Sequence, residues 1–346
     1  MARRLKTGIL LLNLGGPDSL DAVRPFLIRL FSDREILKLP GGPLGQFFIG
    51  RMIAYRRTKE VQENYARIGG SSPIVCWSTL QGRGLVERLQ SRGHDVAFAL
   101  AMRYWNPTTE DALDALEREG CDRLLALTMY PHYSIATTGS SVAELRRVLK
   151  RRRATLPLET IEAWYDHPGY LDAMAARARA ALARVPPGKT PTILVSAHGL
   201  PQHFIDDGDP YCEHIRITME GILARLPNLP HVLAYQSRVG PVPWIGPSTE
   251  EMIDRLAADG VKEVVAIPIS FVSDHIETTY EIDMLYGDQA KARGITTFVR
   301  AASLNDDPAF LDALAAIVEP RLRRAAPDAD AIAPTPGRAG AVPATR

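Results

Sequence analysis

Two short segments carry side chains that could move protons or bind a metal ion. In the first, Ser196-Ala-His198-Gly-Leu-Pro201, an imidazole stands just past an apolar, strand-like run, in a turn that contains glycine. Imidazole accepts or donates a proton near neutral pH and also binds metals. The same histidine could instead cap the helix that follows, and the segment alone does not decide between these roles.

The second segment covers residues 273–283 and is rich in acidic side chains. Asp274, Glu277 and Glu281 are three and then four residues apart, so a helix would place them along one face. Like charges in such a row repel one another, and no counter-charge lies at the matching offsets. A solvated acidic surface is one explanation. The other is a row of oxygen ligands that passes a divalent cation along and accepts protons, and the position after a predicted core strand favours it.

Short apolar runs that alternate with longer helical patterns must position these segments. This alternation is typical of βαβ units and a parallel sheet, and the unbroken apolar character of each run fits strands covered on both faces. The predicted strands are Ile9–Asn13, Val96–Met102, Leu124–Met129, Ile193–Ser196, His231–Gln236 and Val264–Ile269.

The pattern also repeats along the chain. Pro107-Thr-Thr-Glu-Asp and Pro247-Ser-Thr-Glu-Glu, 140 residues apart, each predict a capped helix start. Gly120 and Gly260, at the same offset, each predict a helix stop before a strand. We interpret the order as a duplicated half, whose two sheets face each other across a cleft at the carboxyl ends of their strands.

The duplication predicts two domains, 1–155 and 156–304. We expect a helix over 305–324 that packs back on the first domain, and a disordered tail over 325–346, which has no aromatic residue. The 41 basic and 40 acidic residues argue against a nucleic-acid binder. Three scattered cysteines offer no CxxC pair. No apolar run approaches the ~18 residues of a membrane span and no export signal is recognised, so we expect a cytoplasmic protein.

A third feature is an apolar surface in the first half, which we call the lip. It comprises Phe26–Phe31 and Pro43–Ala54, and the basic cluster Arg56-Arg57-Thr-Lys59 follows at once. Apolar walls with a few cations suit a flat hydrophobic ligand that bears carboxylates, or a lipid surface. Taken alone, a helical hairpin packed on its domain with the cations in water is the better explanation.

Together these residues resemble ferrochelatase, the terminal enzyme of haem synthesis. Eight runs match in the family's order, over about residues 7–310. They are Leu11-Leu-Asn-Leu-Gly-Gly-Pro17, Ile68-Gly-Gly-Ser-Ser-Pro73, Tyr130-Pro-His-Tyr-Ser134 with Thr137-Thr-Gly-Ser-Ser141, Ser196-Ala-His-Gly-Leu-Pro201, Gly208-Asp-Pro-Tyr211, Gln236-Ser-Arg-Val-Gly-Pro241, Pro243-Trp-Ile-Gly-Pro247 and Ser273-Asp-His-Ile-Glu-Thr278.

The resemblance implies an α/β fold of two similar Rossmann-like domains, each a parallel four-stranded sheet flanked by helices, with the porphyrin cleft between them. It implies insertion of Fe2+ into protoporphyrin IX to form protohaem, with iron as a substrate and no tightly bound cofactor. His198 and Glu277 would face each other across the macrocycle as metal ligands and proton acceptors. The resemblance further implies that Asp274, His275 and Glu281 support the metal path. Leu14, Arg103, Tyr104 and Trp244 would contact the ring or line its pocket. Arg57, Lys59, Tyr65 and Ser72 would lie near the propionates.

Two departures refine this expectation. Some relatives bear a 2Fe-2S cluster on a cysteine-rich C-terminal extension; here the tail has no cysteine and Ile135 stands where certain relatives place a ligand, so we expect no cluster. Relatives that act on coproporphyrin typically carry tyrosine at the position of Leu14 and lack much of the lip. Leu14 and a full lip therefore imply protoporphyrin IX, and the lip leads us to expect peripheral contact with the inner membrane.

Two other functions remain as alternatives. A chelatase for another tetrapyrrole or metal, such as cobalt, would often concentrate histidines, whereas the eight here are scattered. A two-domain solute- or haem-binding protein would normally carry an export signal.

Overall fold

The computed structural model describes residues 5–37, 39–238 and 242–323. Within these ranges, eight strands form two parallel sheets of four. The first sheet contains β1 (Thr7–Asn13), β2 (Val96–Met102), β3 (Arg123–Thr128) and β4 (Leu158–Ile161), and the second contains β5 (Thr192–His198), β6 (His231–Gln236), β7 (Glu263–Pro268) and β8 (Thr297–Arg300). The strand orders are β2-β1-β3-β4 and β6-β5-β7-β8, so the duplication predicted from the sequence is confirmed.

Helices cover both faces of each sheet and connect its strands. The helices of the first half are α1 (Val23–Ser32), α2 (Gly42–Arg67), α3 (Ile74–Ser91), α4 (Thr109–Arg118), the π-helix π1 (Ile135–Gly139) and α5 (Ser140–Arg152). Those that follow are α6 (Pro168–Leu182), α7 (Gln202–Asp206), α8 (Tyr211–Leu223), α9 (Thr249–Ala258), the π-helix π2 (Glu277–Tyr286), α10 (Gly287–Ala292) and α11 (Pro308–Leu322).

The strand β1 shows why the apolar runs form buried strands. Its side chains alternate between two cores: Ile9 and Leu11 pack into a core that includes α3, α6 and α11, whereas Leu10 and Leu12 pack against α4 and α5. All four are at most 1% exposed. Burial of each such side chain contributes roughly 1.5–3 kcal/mol, so a strand covered on both faces needs an apolar residue at every position.

The repeated helix signals also form equivalent structures. Thr108 and Ser248 are N-caps of α4 and α9, and each hydroxyl accepts the backbone N–H three residues further on. Gly120 and Gly260 follow these helices with φ of 68° and 80°, a left-handed conformation that glycine adopts without a steric penalty. The sequence therefore predicted the start and the end of both helices.

The edge strands β4 and β8 are the elements that the sequence pattern missed. Each is four residues long and only one residue in each is fully buried, so neither shows the continuous apolar run of the central strands. Because β4 pairs with β3, the first sheet extends beyond residue 155, where the sequence predicts the end of the first domain. Strand β5 is also longer than predicted, and His198 is its last residue.

The helix α11 lies against α3 and α6. Arg88 and Arg92, at the end of α3 and just after it, form ion pairs with Asp312 at 2.5 Å and with Glu319 at 2.9 Å. These contacts attach the predicted C-terminal helix to the first half. The tail predicted over 325–346 lies outside the described residues, and the domain boundaries stay a prediction.

The two parts of the lip differ in their exposure. Phe26 and Phe31 lie on the buried face of α1, as the helical-hairpin explanation predicts for that segment. The first half of α2 instead presents large apolar side chains that are 45–73% exposed: Leu44, Phe47, Phe48, Met52 and Tyr55. Over the described residues, no helix has the length and apolar character needed to span a membrane.

Candidate active site

A cleft lies between the two sheets, where the carboxyl ends of the central strands β1, β3, β5 and β7 meet. Both halves of the molecule contribute to its surface. The side chains that line it include Asn13, Leu14, Met129, His132, Ser134 and Thr137 from the first half and His198, Tyr211, Phe271, His275 and Glu277 from the second. The expectation that the histidine and the acidic segment share one cleft is met by this arrangement.

His198 and Glu277 are in direct contact. Nδ1 of His198 lies 2.7 Å from Oε2 of Glu277, and their side chains are 31% and 19% exposed. The resemblance places the two residues on opposite sides of a macrocycle. A flat ring can lie between them only after this hydrogen bond is broken and the side chains separate.

The contact changes the proton affinity of both groups. Burial disfavours the charged form of His198, but the negative charge of Glu277 and the hydrogen bond to it more than compensate and raise the pKa of the imidazole. Burial likewise disfavours ionised Glu277, and the His198 charge reverses this and lowers the pKa of the carboxyl. The pair therefore favours an imidazolium hydrogen-bonded to a carboxylate, with one proton held between them.

Glu281 lies next to this pair and is linked to it by Ser237. The Ser237 hydroxyl lies 2.6 Å from Oε2 of Glu281 and 3.1 Å from Oε2 of Glu277, within hydrogen-bonding distance of both. Burial and the nearby Glu277 charge raise the pKa of Glu281 to about 7. Ser237 has a φ of 67°, a left-handed conformation rarely adopted by serine and found often at functional sites.

Gln236 fixes the same acidic pair from the end of β6. Its Oε1 accepts a hydrogen bond from the Ser196 hydroxyl at 2.8 Å, so its amide nitrogen faces the π-helix. That nitrogen donates to Glu281 Oε2 at 3.1 Å and to the Glu277 carbonyl at 3.0 Å. Gln236 and Ser237 are site residues that the sequence analysis does not predict. Both stand at the carboxyl end of a predicted strand, level with His198, and this position could have indicated a role in the site.

The backbone of His198 is held on both sides. Its N–H donates to the Ser270 hydroxyl at 3.0 Å, and its carbonyl accepts a hydrogen bond from the Tyr211 hydroxyl at 3.0 Å. Tyr211 and Ser270 also contact each other at 2.7 Å. The histidine is therefore a rigid strand-end residue, and the alternative that it caps the next helix is wrong, because α7 has Pro201 as its N-cap and no side-chain cap.

His275 reaches the cleft as a neutral imidazole. It is 8% exposed, and burial lowers its pKa. Its Nδ1 lies 3.1 Å from the Ser273 carbonyl, which can only accept, so Nδ1 carries the proton. The lone pair of Nε2 is then available, 4.0 Å from Oε1 of Glu277. This geometry suits a metal ligand beside the carboxylate.

Asp274 does not belong to the acidic stripe that the spacing predicts. It precedes the π-helix, and its Oδ1 accepts hydrogen bonds from Arg300 at 2.9 Å and from Ser303 at 2.8 Å, while Asn305 donates to Oδ2 at 2.8 Å. Although burial opposes ionisation, Arg300 and these donors lower the pKa of Asp274. The prediction of an uncompensated row of three acids is thus wrong, because the counter-charge comes from β8, 26 residues away in sequence.

The residues expected around the porphyrin occupy different places. Leu14 lines the cleft. Tyr65 is buried, hydrogen-bonded to Ser72 and close enough to Glu277 for its charge, after burial, to raise the tyrosine pKa. Arg57 is half-buried and Lys59 is exposed on α2. The roles of all these residues stay predictions.

Arg103, Tyr104 and Trp244 have other neighbours. Arg103 and Tyr104 each donate a 2.6 Å hydrogen bond to Oδ2 of Asp33, and they line a separate surface cavity of about 600 Å³ beside α1 and α5. Trp244 forms an isolated β-bridge with Pro201 and lies beside Gly199, where it leaves no room for a larger side chain. The structure does not place these three side chains on the cleft surface described above.

Comparisons with known proteins identify the family of the chain. A family model described as Ferrochelatase matches residues 6–322. A ferrochelatase from Geotalea uraniireducens is 50% identical over 313 residues, which cover 90% of this chain and 97% of that protein. A ferrochelatase from Synechocystis is 44% identical and the match covers 90% of this chain and 82% of that protein.

A solved structure shares the fold at much lower sequence identity. SirB from Bacillus subtilis with Fe3+ has a TM-score of 0.55 and 11% identity, over 92% of this chain and 96% of that chain. Its likeness concerns the fold alone. The family match over nearly the whole chain, together with relatives at this level of identity, shows that the protein belongs to the ferrochelatase family, the metal chelatases that insert iron into a porphyrin for haem synthesis.

Proposed function

We propose that this protein inserts Fe2+ into protoporphyrin IX and releases protohaem, with His198 and Glu277 as the groups that meet the metal and the pyrrole protons. The observation that carries the proposal is the direct His198–Glu277 contact in a cleft formed by strand ends of both halves. An imidazole and a carboxylate offer one nitrogen and one oxygen ligand to Fe2+ beside the four nitrogens of the ring.

The contact between the pair explains how binding prepares the reaction. Two pyrrole protons must leave as iron enters, so bases are required on the faces of the ring. Entry of the ring separates His198 from Glu277, and each then loses its partner in a half-buried environment. Without the Glu277 charge, burial lowers the pKa of His198, so the imidazolium releases its proton to solvent. The neutral imidazole and the carboxylate can then accept pyrrole protons or bind iron, so binding energy is spent on groups that become reactive only when the ring is in place.

Glu281 suits the next step in the transfer of protons. Its pKa of about 7 means that it takes up and releases a proton near neutral pH. Ser237 lies between it and Glu277, so a hydroxyl can relay a proton from one carboxylate to the other. The Nε2 lone pair of His275 provides a neutral ligand on the same side.

Leu14 supports protoporphyrin IX as the substrate, because its apolar side chain lies on the cleft surface where a tyrosine would be expected for coproporphyrin. The test is anaerobic incubation of the protein with Fe2+ and either porphyrin, followed by the change in the Soret band. We expect turnover with protoporphyrin IX. Turnover with coproporphyrin III alone would contradict the choice of substrate, and porphyrin binding without metallation would favour a carrier.

The exposed face of α2 supports peripheral contact with the inner membrane. Leu44, Phe48, Met52 and Tyr55 follow a helical spacing of three to four residues, and a helix that presents such a face can dip it into the boundary between headgroups and acyl chains. The Arg51 guanidinium stacks 3.5 Å from the Phe47 ring and Arg24 lies over Tyr55, so cations flank the apolar patch. A cytoplasmic protein docked in this way would meet its poorly soluble substrate at the membrane.

We also propose that the protein holds no 2Fe-2S cluster and binds no nucleic acid. At the position of a cluster ligand in certain relatives, Ile135 begins π1 and donates its backbone N–H to Asp209 at 2.7 Å. The near balance of charge, +1 overall, supports the second statement. Iron-to-protein stoichiometry and the visible spectrum of the purified protein would reveal a cluster.

A further inference from the structure

Arg300, the last residue of β8, contacts both sides of the acidic π-helix segment. Its side chain is 11% exposed. Nη1 donates to Oδ1 of Asp274 at 2.9 Å, and Nε and Nη2 donate to the two oxygens of Asp283, each at 2.9 Å. All three guanidinium nitrogens are therefore used, and the two carboxylates flank Glu277 in sequence.

The two contacts bracket the residues that face the cleft. Asp274 lies just before π2, and Asp283 lies in its second turn. Glu277 and Glu281 lie between these two points, and their carboxylates meet His198, Ser237 and Gln236 instead. Arg300 thus connects β8 to the helix before and after the residues that carry the chemistry.

The segment that Arg300 holds is a π-helix, whose hydrogen-bond pattern is rare in proteins and occurs frequently at functional sites. The Asp274 carboxylate is itself surrounded by donors, since Thr278 lies 3.2 Å from its Oδ1 in addition to Arg300, Ser303 and Asn305. With its oxygens occupied in this way, the carboxylate would have to give up several hydrogen bonds before it could bind a cation.

We propose that Arg300 is a positioning residue for iron insertion, which holds π2 so that Glu277 meets His198, and that Asp274 is the anchor for Arg300 rather than a ligand on the iron path. This inference rests on the proposed function. A planar guanidinium can bind two carboxylates through three nitrogens, whereas a lysine ammonium is a single point of charge. Lysine at position 300 therefore keeps the charge and loses the geometry.

The test compares Arg300→Lys, Arg300→Gln, Asp274→Asn and the double variant Asp274→Asn/Arg300→Gln. We expect kcat to fall by about tenfold to a hundredfold in each single variant, because small displacements of a reacting group have effects of that size. KM for Fe2+ should stay within about twofold, and the double variant should be no slower than the slower single variant, because both changes remove one shared contact.

The matched control is Arg293→Gln, which removes the exposed ion pair of Arg293 with Asp254 at 2.7 Å, also in the second half, and should leave turnover unchanged. If Arg300→Gln does not fold, Asp283→Asn removes one arm of the contact at a half-exposed carboxylate and should lower kcat severalfold without a change in KM for Fe2+. Wild-type kcat in the Arg300 or Asp283 variants would overturn the inference. So would an Asp274→Asn variant that raises KM for Fe2+ and acts multiplicatively with Arg300→Gln.

The activity of the wild-type protein distinguishes failure of the proposed function from failure of the positioning role. Wild-type protein that does not metallate protoporphyrin IX contradicts the proposed function. If the wild type metallates protoporphyrin IX and the Arg300 variants do so at the same rate, only the positioning role is contradicted.

Discussion

The two halves of the molecule share a topology and differ in the chemistry of equivalent positions. In each half the third strand ends at the cleft and continues through a loop into a π-helix, π1 after β3 and π2 after β7. Thr137 in π1 lies 140 residues before Glu277 in π2, the same offset that relates the capped helix starts. Both side chains line the cleft. One half therefore presents a hydroxyl where the other presents a carboxylate.

The ends of the first strands show the same difference. Asn13 ends β1, and its amide donates to Ser78 at 3.1 Å while its carbonyl oxygen accepts the Leu14 N–H. His198 ends β5, and its side chain pairs with another cleft residue, Glu277. The side chain of Asn13 is thus bound within its own half and away from reactive groups, whereas that of His198 is paired with a carboxylate at the cleft. The fold supplies equivalent positions in the two halves, and the side chains at those positions decide which side of the cleft carries the reactive groups.

The largest effect should come from exchanging the reacting carboxylate for an amide. Glu277→Gln keeps the shape but cannot accept a proton, so we expect turnover to fall by about 10²–10⁴-fold while porphyrin binding, measured by fluorescence quenching, is largely retained. Thr137→Val at the equivalent position should change turnover by less than about threefold, because its hydroxyl lines the cleft but is not a base near neutral pH. Equal losses of turnover in the two variants would contradict the assignment of the reactive groups to the second half.

A second difference between the halves should appear in the pH dependence of stability. The pKa of Glu281 is raised to about 7 in the folded protein, so the native state binds this proton more tightly than the unfolded chain does. The resulting stabilisation is fully present below the unfolded pKa of about 4.3 and is lost as the pH rises through about 7. Between pH 5.5 and pH 8, the free energy of unfolding of the wild type should fall by on the order of 2 kcal/mol more than that of Glu281→Gln. Chemical unfolding at the two pH values measures this difference.

Ser141 provides the control for that measurement, since it lies 140 residues before Glu281 and has no charge to titrate. Ser141→Ala should show the same pH dependence as wild type. A wild-type protein whose stability relative to Glu281→Gln does not change between the two pH values would show that Glu281 is ionised throughout.

The lip is a third difference, because the second half has no counterpart of the exposed face of α2 among the described residues. Phe48→Ser removes a ring that is 66% exposed, and co-sedimentation with anionic vesicles should weaken by about tenfold, as loss of one inserted aromatic side chain predicts. Leu285→Ser is the matched control in π2, at a leucine that is 42% exposed, and should bind vesicles like wild type. Equal weakening in both variants would remove α2 as the docking surface.

The sequence predicted six of the eight strands, β1 to β3 and β5 to β7, both capped helices and the meeting of His198 with the acidic segment, because each depends on local pattern or on the order of elements. It missed β4 and β8, whose four residues carry little apolar signal. It also missed Arg300, since its ion pair with Asp274 depends on how the sheet brings residues that are distant in sequence together. The Arg103 and Tyr104 contacts with Asp33 are likewise tertiary, and no spacing in the chain indicates them.

The smallest expected effect tests the equivalence of the halves rather than their difference. Thr108 and Ser248 cap α4 and α9 through the same reciprocal pair of hydrogen bonds, with Asp111 and Glu251 as their partners. Each cap satisfies backbone N–H groups that would otherwise lack a partner, so Thr108→Ala and Ser248→Ala should each cost about 1 kcal/mol in the free energy of unfolding. Porphyrin metallation should be unchanged, because neither hydroxyl contacts the cleft residues. A loss of several kcal/mol at one site alone, measured by chemical unfolding, would mean that the two helices are held by different contacts despite their common origin in the repeated pattern.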